Sequence, residues 1–173
     1  MFRSMRKLMM GLALVAAFLA VGSPASAEDI HSSGPWFNVH SNLCLGVQGG
    51  NMTNGTRIIQ WPCNDHPDQN WNIAVPEELN LQLIRNGQDS NKCLAVAGNS
   101  DDKGAALIIW DCNSTPGQLW RQAYHPASGC YVWYNEETQY AMSVDSGRVD
   151  QGAPINQWPA PNQNQAAQNQ IWC

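Results

Sequence analysis

Residues 93–120 read CLAVAGNSDDKGAALIIWDCNSTPGQLW, and residues 44–71 read CLGVQGGNMTNGTRIIQWPCNDHPDQNW. Set on their first cysteines, the two match position by position. A third copy, AMSVDSGRVDQGAPINQWPAPNQNQAAQNQIW, fills residues 141–172. Each reaches a glycine after 11 residues (Gly55, Gly104, Gly152) and a tryptophan after 17 (Trp61, Trp110, Trp158). Each closes on Gln-x-Trp: Gln69 and Trp71, Gln118 and Trp120, Gln170 and Trp172. Self-similarity at a period of ~49 residues means one supersecondary unit used three times. The third copy carries four extra residues before Gln170, within PNQNQAAQNQ, which reads as a longer polar loop.

Each unit reads as β. Short apolar runs such as RIIQW and ALIIW are bounded by Gly, Asn, Asp and Pro. Gly55 and Gly104 supply the positive φ that tight turns between strands require. The long apolar run LMMGLALVAAFLAVG lies near the N-terminus, behind Arg3, Arg6 and Lys7 and before Ala25 and Ala27. That order is a secretory leader, read here as residues 1–27, and the run falls short of the ~20 residues of a spanning helix. Residues 28–173 then form one domain, with repeats of about 36–75, 76–124 and 125–173, in a secreted, extracellular protein.

Charge and cysteines narrow the partners. Residues 28–173 hold six Lys/Arg against 14 Asp/Glu, a formal charge of −8. Phosphate-binding surfaces need clustered positive charge, so neither nucleic acid nor, once the leader is removed, a membrane is expected as partner. All six cysteines lie after the leader, an even count that reads as three disulfides in an exported chain. Zinc sites want Cys-x-x-Cys or Cys/His spacings, and none occurs. The third unit has Ala141 and Ala160 where the others have Cys44 and Cys63, or Cys93 and Cys112. Loss of both together pairs Cys44 with Cys63 and Cys93 with Cys112, and by elimination Cys130 with Cys173. The Gln-x-Trp tryptophans read as equivalent core positions.

Three Gln-x-Trp units in register, two of them opening Cys-Leu-x-Val with a second Cys 19 residues on, resemble the ricin B-type lectin family. The resemblance covers roughly residues 36–173. It implies an all-β fold, a β-trefoil of twelve strands: a six-stranded barrel capped by three hairpins. It also implies sugar binding, most often of galactose- or xylan-type ligands, at up to three shallow sites and without a cofactor. In the family's pattern each site has an Asp two residues after the first Cys and an aromatic 17 residues after it. A polar residue two before the aromatic and an Asn just before Gln-x-Trp complete the site. A pyranose has one C–H face and many hydroxyls, so it needs a flat ring and fixed acceptors.

Carried over residue by residue, the Asp position holds Gly46, Ala95 and Ser143. The aromatic position keeps Trp61, Trp110 and Trp158. The position two before it holds Ile59, Ile108 and Asn156, and the Asn position holds Asp68, Gly117 and Asn169. The resemblance therefore places the best site in the third unit, at Ser143, Asp145, Asn156, Trp158 and Asn169. A partial site falls at Trp61 and Asp68. If that is a decayed site of the family's pattern, an Asp at position 46 should restore some affinity to it, and no gain would mean a surface remodelled for something else. Four scattered histidines, His31, His40, His66 and His125, and the adjacent pairs Glu77–Glu78 and Glu136–Glu137 supply no metal spacing and no catalytic constellation. The expectation is a binding protein rather than an enzyme. The alternative, drawn from the absent carboxylates at 46, 95 and 143, is a sugar-silent trefoil that binds a protein partner.

Overall fold

A computed structural model describes residues 29–75 and 81–173. The leader read at 1–27 lies outside the described residues, as do Glu77 and Glu78. Eleven strands follow in order: β1 Asp29–Pro35, β2 Cys44–Val47, β3 Ile58–Trp61, β4 Asn70–Val75, β5 Leu83–Asn86, β6 Lys92–Val96, β7 Leu107–Asp111, β8 Trp120–His125, β9 Cys130–Asn135, β10 Ala141–Val144 and β11 Ile155–Trp158. The rest of the regular structure is single 3₁₀ turns.

The strands close a ring. β1 pairs with β4 and β4 with β5; Gln82 bridges to Trp120 at the start of β8, and β8 pairs with β9. Trp172 then bridges both Tyr131 and Asn38. Phe37 and Cys173 exchange backbone hydrogen bonds of 2.9 Å, which ties the last residues to the first unit. The segment at Trp172 is thus the twelfth strand, reduced to bridges, and the barrel has six staves. The hairpins β2–β3, β6–β7 and β10–β11 cap one end. The architecture is a β-trefoil.

Its threefold order is visible in single atoms. The indole N–H of Trp71, Trp120 and Trp172 donates to the carbonyls of Leu45, Leu94 and Met142 at 2.9, 3.3 and 3.1 Å. These three rings are at most 1% exposed and meet in the central core. The glutamine of each Gln-x-Trp occupies backbone groups left unpaired at the strand ends. Gln69 donates to Pro62 and accepts from Asn64; Gln118 donates to Asp111 and accepts from Asn113. Backbone groups buried without such partners would each carry a desolvation cost.

One threefold set escaped the sequence reading. Asn38, Asn86 and Asn135 are all buried, each paired in register with the Gln-x-Trp tryptophan of the preceding unit in the ring. Their amides donate to the carbonyls of Ile171, Asp68 and Pro116, respectively. They recur six or seven residues before each first-Cys position, in FNV, RNG and YNE.

Hairpin turns lock each unit to the next. The N–H groups of Gly55, Gly104 and Gly152 donate to the carbonyls of Ile109, Gln157 and Gln60 at 2.9, 2.8 and 2.8 Å. Their φ angles of 90°, 87° and 81° suit glycine alone. Disulfides join Cys44–Cys63, Cys93–Cys112 and Cys130–Cys173, as the paired substitution requires. In the third unit Ala141 and Ala160 instead pack with Val132, Tyr134 and Ile171 around the Cys130–Cys173 clasp.

Candidate sugar-binding clefts

Three clefts lie between the hairpins and the Gln-x-Trp segments, one per unit. Their platforms contrast with the core indoles: Trp61, Trp110 and Trp158 are 40, 40 and 46% exposed. Each ring is backed by a glycine of another unit's hairpin turn. A Cβ at Gly152 would stand 3.8 Å from Trp61, one at Gly55 3.9 Å from Trp110, and one at Gly104 3.4 Å from Trp158. The turn glycine therefore both turns the chain and leaves room for a neighbouring platform.

Two successive left-handed residues follow β2, β6 and β10: Gly49–Gly50, Gly98–Asn99 and Ser146–Gly147. The residue just before this pair is Gln48, Ala97 or Asp145, and Gln48 and Asp145 line their clefts. In the third unit it is the carboxylate. Asp145 lies two residues beyond Ser143 and opens the 3₁₀ turn that follows β10. Its Oδ1 accepts from Asn156 Nδ2 at 2.9 Å. Asn169 Nδ2 donates to the Val144 carbonyl at 2.8 Å, which leaves its side-chain oxygen for a ligand.

These groups and Trp158 line a cleft of about 470 Å³. Ser143 is buried in its floor: its hydroxyl donates to the Ala141 carbonyl and accepts from Gln170 Nε2. The Asn156 side-chain oxygen is buried with no hydrogen-bond partner among the described residues. An orphaned acceptor costs ~1–3 kcal/mol, and Ile59 and Ile108 avoid that cost at the equivalent places. The third unit accepts it and gains an oriented Asp145.

The first cleft, about 430 Å³, takes its carboxylate from the opposite side. Asp68 Oδ2 accepts from the Val47 N–H at 2.9 Å, and Oδ1 pairs with His66 Nδ1. A Cβ at Gly46 would lie 3.0 Å from Asp68 Oδ2 and 3.2 Å from Gln69 Cγ. The place of the family's Asp is thus already filled, and an Asp at 46 would set two carboxylates against each other rather than restore affinity. His66, one of the scattered histidines that supplied no metal spacing, lines this cleft beside Trp61. Its adjacency to Asp68 two residues on, in HPDQ, was the available signal.

The second cleft is only about 170 Å³. The Asn99 side-chain oxygen accepts from the Gly117 N–H across it at 3.0 Å. A Cβ at Gly117 would meet that Asn99 oxygen at 2.7 Å, so glycine there and this asparagine go together. Among the described residues no cluster of three metal-ligating side chains occurs.

The model of the ricin-type beta-trefoil lectin domain family matches residues 32–172. No curated protein sequence matches the chain. Among solved structures, the designed 3-fold symmetric protein ThreeFoil is similar at TM-score 0.73 and 22% identity, over 81% of this chain and 95% of its own. An exo-beta-1,3-galactanase from Clostridium thermocellum is similar at TM-score 0.73 and 25% identity, over 82% of this chain but 29% of its own. The ricin B-like lectin of Macrolepiota procera, solved in complex with lactose, is similar at TM-score 0.68 and 15% identity, over 85% of this chain and 96% of its own. With its threefold Gln-x-Trp core and a family match over most of its length, the chain belongs to the ricin-type β-trefoil lectin domain family.

Proposed function

We propose that this protein is exported, loses residues 1–27, and binds carbohydrate without transforming it, with the third cleft as its principal site. The observation that carries the reading is the half-exposed Trp158 ring sharing a cleft with Asp145, whose carboxylate is held by Asn156. A ring for the C–H face and an oriented acceptor for hydroxyls are what a pyranose needs. A hydrogen bond to a charged acceptor contributes about 1.5–3 kcal/mol, roughly 10- to 100-fold in affinity. Cleft one, with Trp61 and Asp68, is the second site in this reading, and cleft two is silent. Galactose-type ligands are favoured, since the Macrolepiota procera relative was solved with lactose; xylan-type chains are the other class. Export rests on the leader sequence and on three disulfides, which persist in oxidising compartments.

The alternative of a sugar-silent, protein-binding trefoil rested on the absent carboxylates at 46, 95 and 143. Asp145 and Asp68 standing at two clefts weigh against it. Retention of the mature, oxidised protein on galactose-, lactose- and xylan-bearing resins tests the choice. Trp158→Ala is expected to lose most retention and Trp110→Ala to keep it. Unchanged retention of Trp158→Ala would refute the site; a wild-type protein that no glycan retains would leave the protein-partner reading.

A further inference from the structure

The four-residue insertion of the third unit is not a bystander to the cleft beside it. Pro159, Pro161, Gln165 and Ala167 form one wall of cleft three, continuous with Trp158 and Asn169. The loop is braced internally. Asn162 Oδ1 accepts from the Asn164 N–H at 3.0 Å, and the Gln165 N–H donates to the Asn162 carbonyl at 3.1 Å. Asn162 Nδ2 donates to Gln165 Oε1 at 2.8 Å.

The polarity of that chain of bonds is set by chemistry. A backbone N–H can only donate, so the Asn162 atom facing Asn164 is oxygen and its other atom is the amide nitrogen. The Gln165 atom that receives it is then oxygen. Gln165 therefore keeps its NH₂ group, two donors, clear of this brace, on a side chain that lines the cleft. Acceptors stand elsewhere in the same cleft, at Asp145 and at the side-chain oxygen of Asn169. One hexose can satisfy the carboxylate and the platform. A pure donor on the inserted wall fits oxygens that only accept, such as a ring or glycosidic oxygen.

Resting on the carbohydrate reading, we infer that the inserted loop builds a second subsite, so that cleft three takes a saccharide of two or more residues. The first ring stacks on Trp158 beside Asp145. The next lies along Pro161 and receives a hydrogen bond from Gln165.

Calorimetric titration of the mature, oxidised protein with galactose and lactose, and with xylose and xylotriose, tests this. Gln165 is exposed, and near-ultraviolet circular dichroism verifies that Gln165→Ala keeps the fold. The variant is expected to lower affinity for the better-bound oligosaccharide about three- to tenfold, with a much smaller effect on the matching monosaccharide. Trp158→Ala lowers both. Equal losses for monosaccharide and oligosaccharide, or no loss for the oligosaccharide, would overturn the subsite while leaving the first site standing. Absence of binding by the wild type to all four sugars would overturn the carbohydrate reading and the subsite with it.

Discussion

The second and third clefts share a frame and differ in nearly everything that faces a ligand. Both have a half-exposed tryptophan on a hairpin, backed by a glycine of another unit, and both sit above a buried Gln-x-Trp. In the second, Asn99 bonds across to Gly117 and Ile108 fills the polar place, in a cleft of about 170 Å³. In the third, Asp145 and Asn156 form an oriented pair, and an inserted loop walls a cleft of about 470 Å³. The frame is held by core burial and by the cross-unit hydrogen bonds of Gly55, Gly104 and Gly152, which recur in all three units. The clefts lie outside that frame, so their residues vary while the fold stays the same.

The separation of frame from cleft predicts unequal responses to two similar substitutions in one unit. Trp120→Ala, which empties a fully buried site and orphans the Leu94 carbonyl, should cost about 3–5 kcal/mol. Trp110→Ala, 40% exposed, should cost under about 1 kcal/mol. Denaturant titration of both variants checks this; comparable losses would mean that platform and core are not separable.

A transplant sharpens the contrast between clefts. Ala97→Asp with Ile108→Asn places the Asp145–Asn156 pair in the second unit, where the strand register is the same: Ala95 opposes Ile108 as Ser143 opposes Asn156. In a Trp158→Ala background this double change should return roughly tenfold or more in sugar affinity, measured by tryptophan fluorescence. No gain would show that Asn99, rather than the missing carboxylate, keeps cleft two closed.

The smallest effect concerns how hairpins are latched. Gln60 and Gln157 are wholly buried and donate to turn carbonyls of a neighbouring unit: Arg148 and Asp150, and Ser100 and Asp102. Ile109 takes that position in the second unit, and a surface network stands near it. Lys92 Nζ donates to Asp111 and to Asn54 of the first unit's turn, and Asn54 also donates to Asp111. Lys92, then Asn54, hold the Asp111 carboxyl below its ordinary value. A carboxyl so depressed adds stability above its unfolded pKa and loses it as pH falls through the lower folded value. Asp111→Asn should lower the melting temperature at pH 7 by roughly 1–2 °C, since exposed pairs are screened. The difference should begin to shrink as pH falls below ~4 and vanish once pH is below the lowered folded value. A gap that persists at acid pH would assign the effect to something other than the ion pair.

Much of this protein was legible in its sequence for a physical reason: repetition and covalent pairing leave marks at fixed spacings. The period of ~49, the paired loss of Cys at Ala141 and Ala160, and the recurrent tryptophans mark three like units and their disulfide pairs, and the family that these motifs resemble implies the trefoil. The buried ring of Asn38, Asn86 and Asn135 also recurs, yet asparagine is ordinary in turns and its burial does not show in a string of letters. The clefts were less legible. Where the family's Asp was missing, a carboxylate stands at two of them, from Asp145 two residues on and from Asp68 across the cleft. Which side chains share a cleft depends on where paired left-handed residues turn the chain and on which neighbour a Cβ would strike. Those are distances in space between residues some 20 positions apart, and only the packed hairpins decide them.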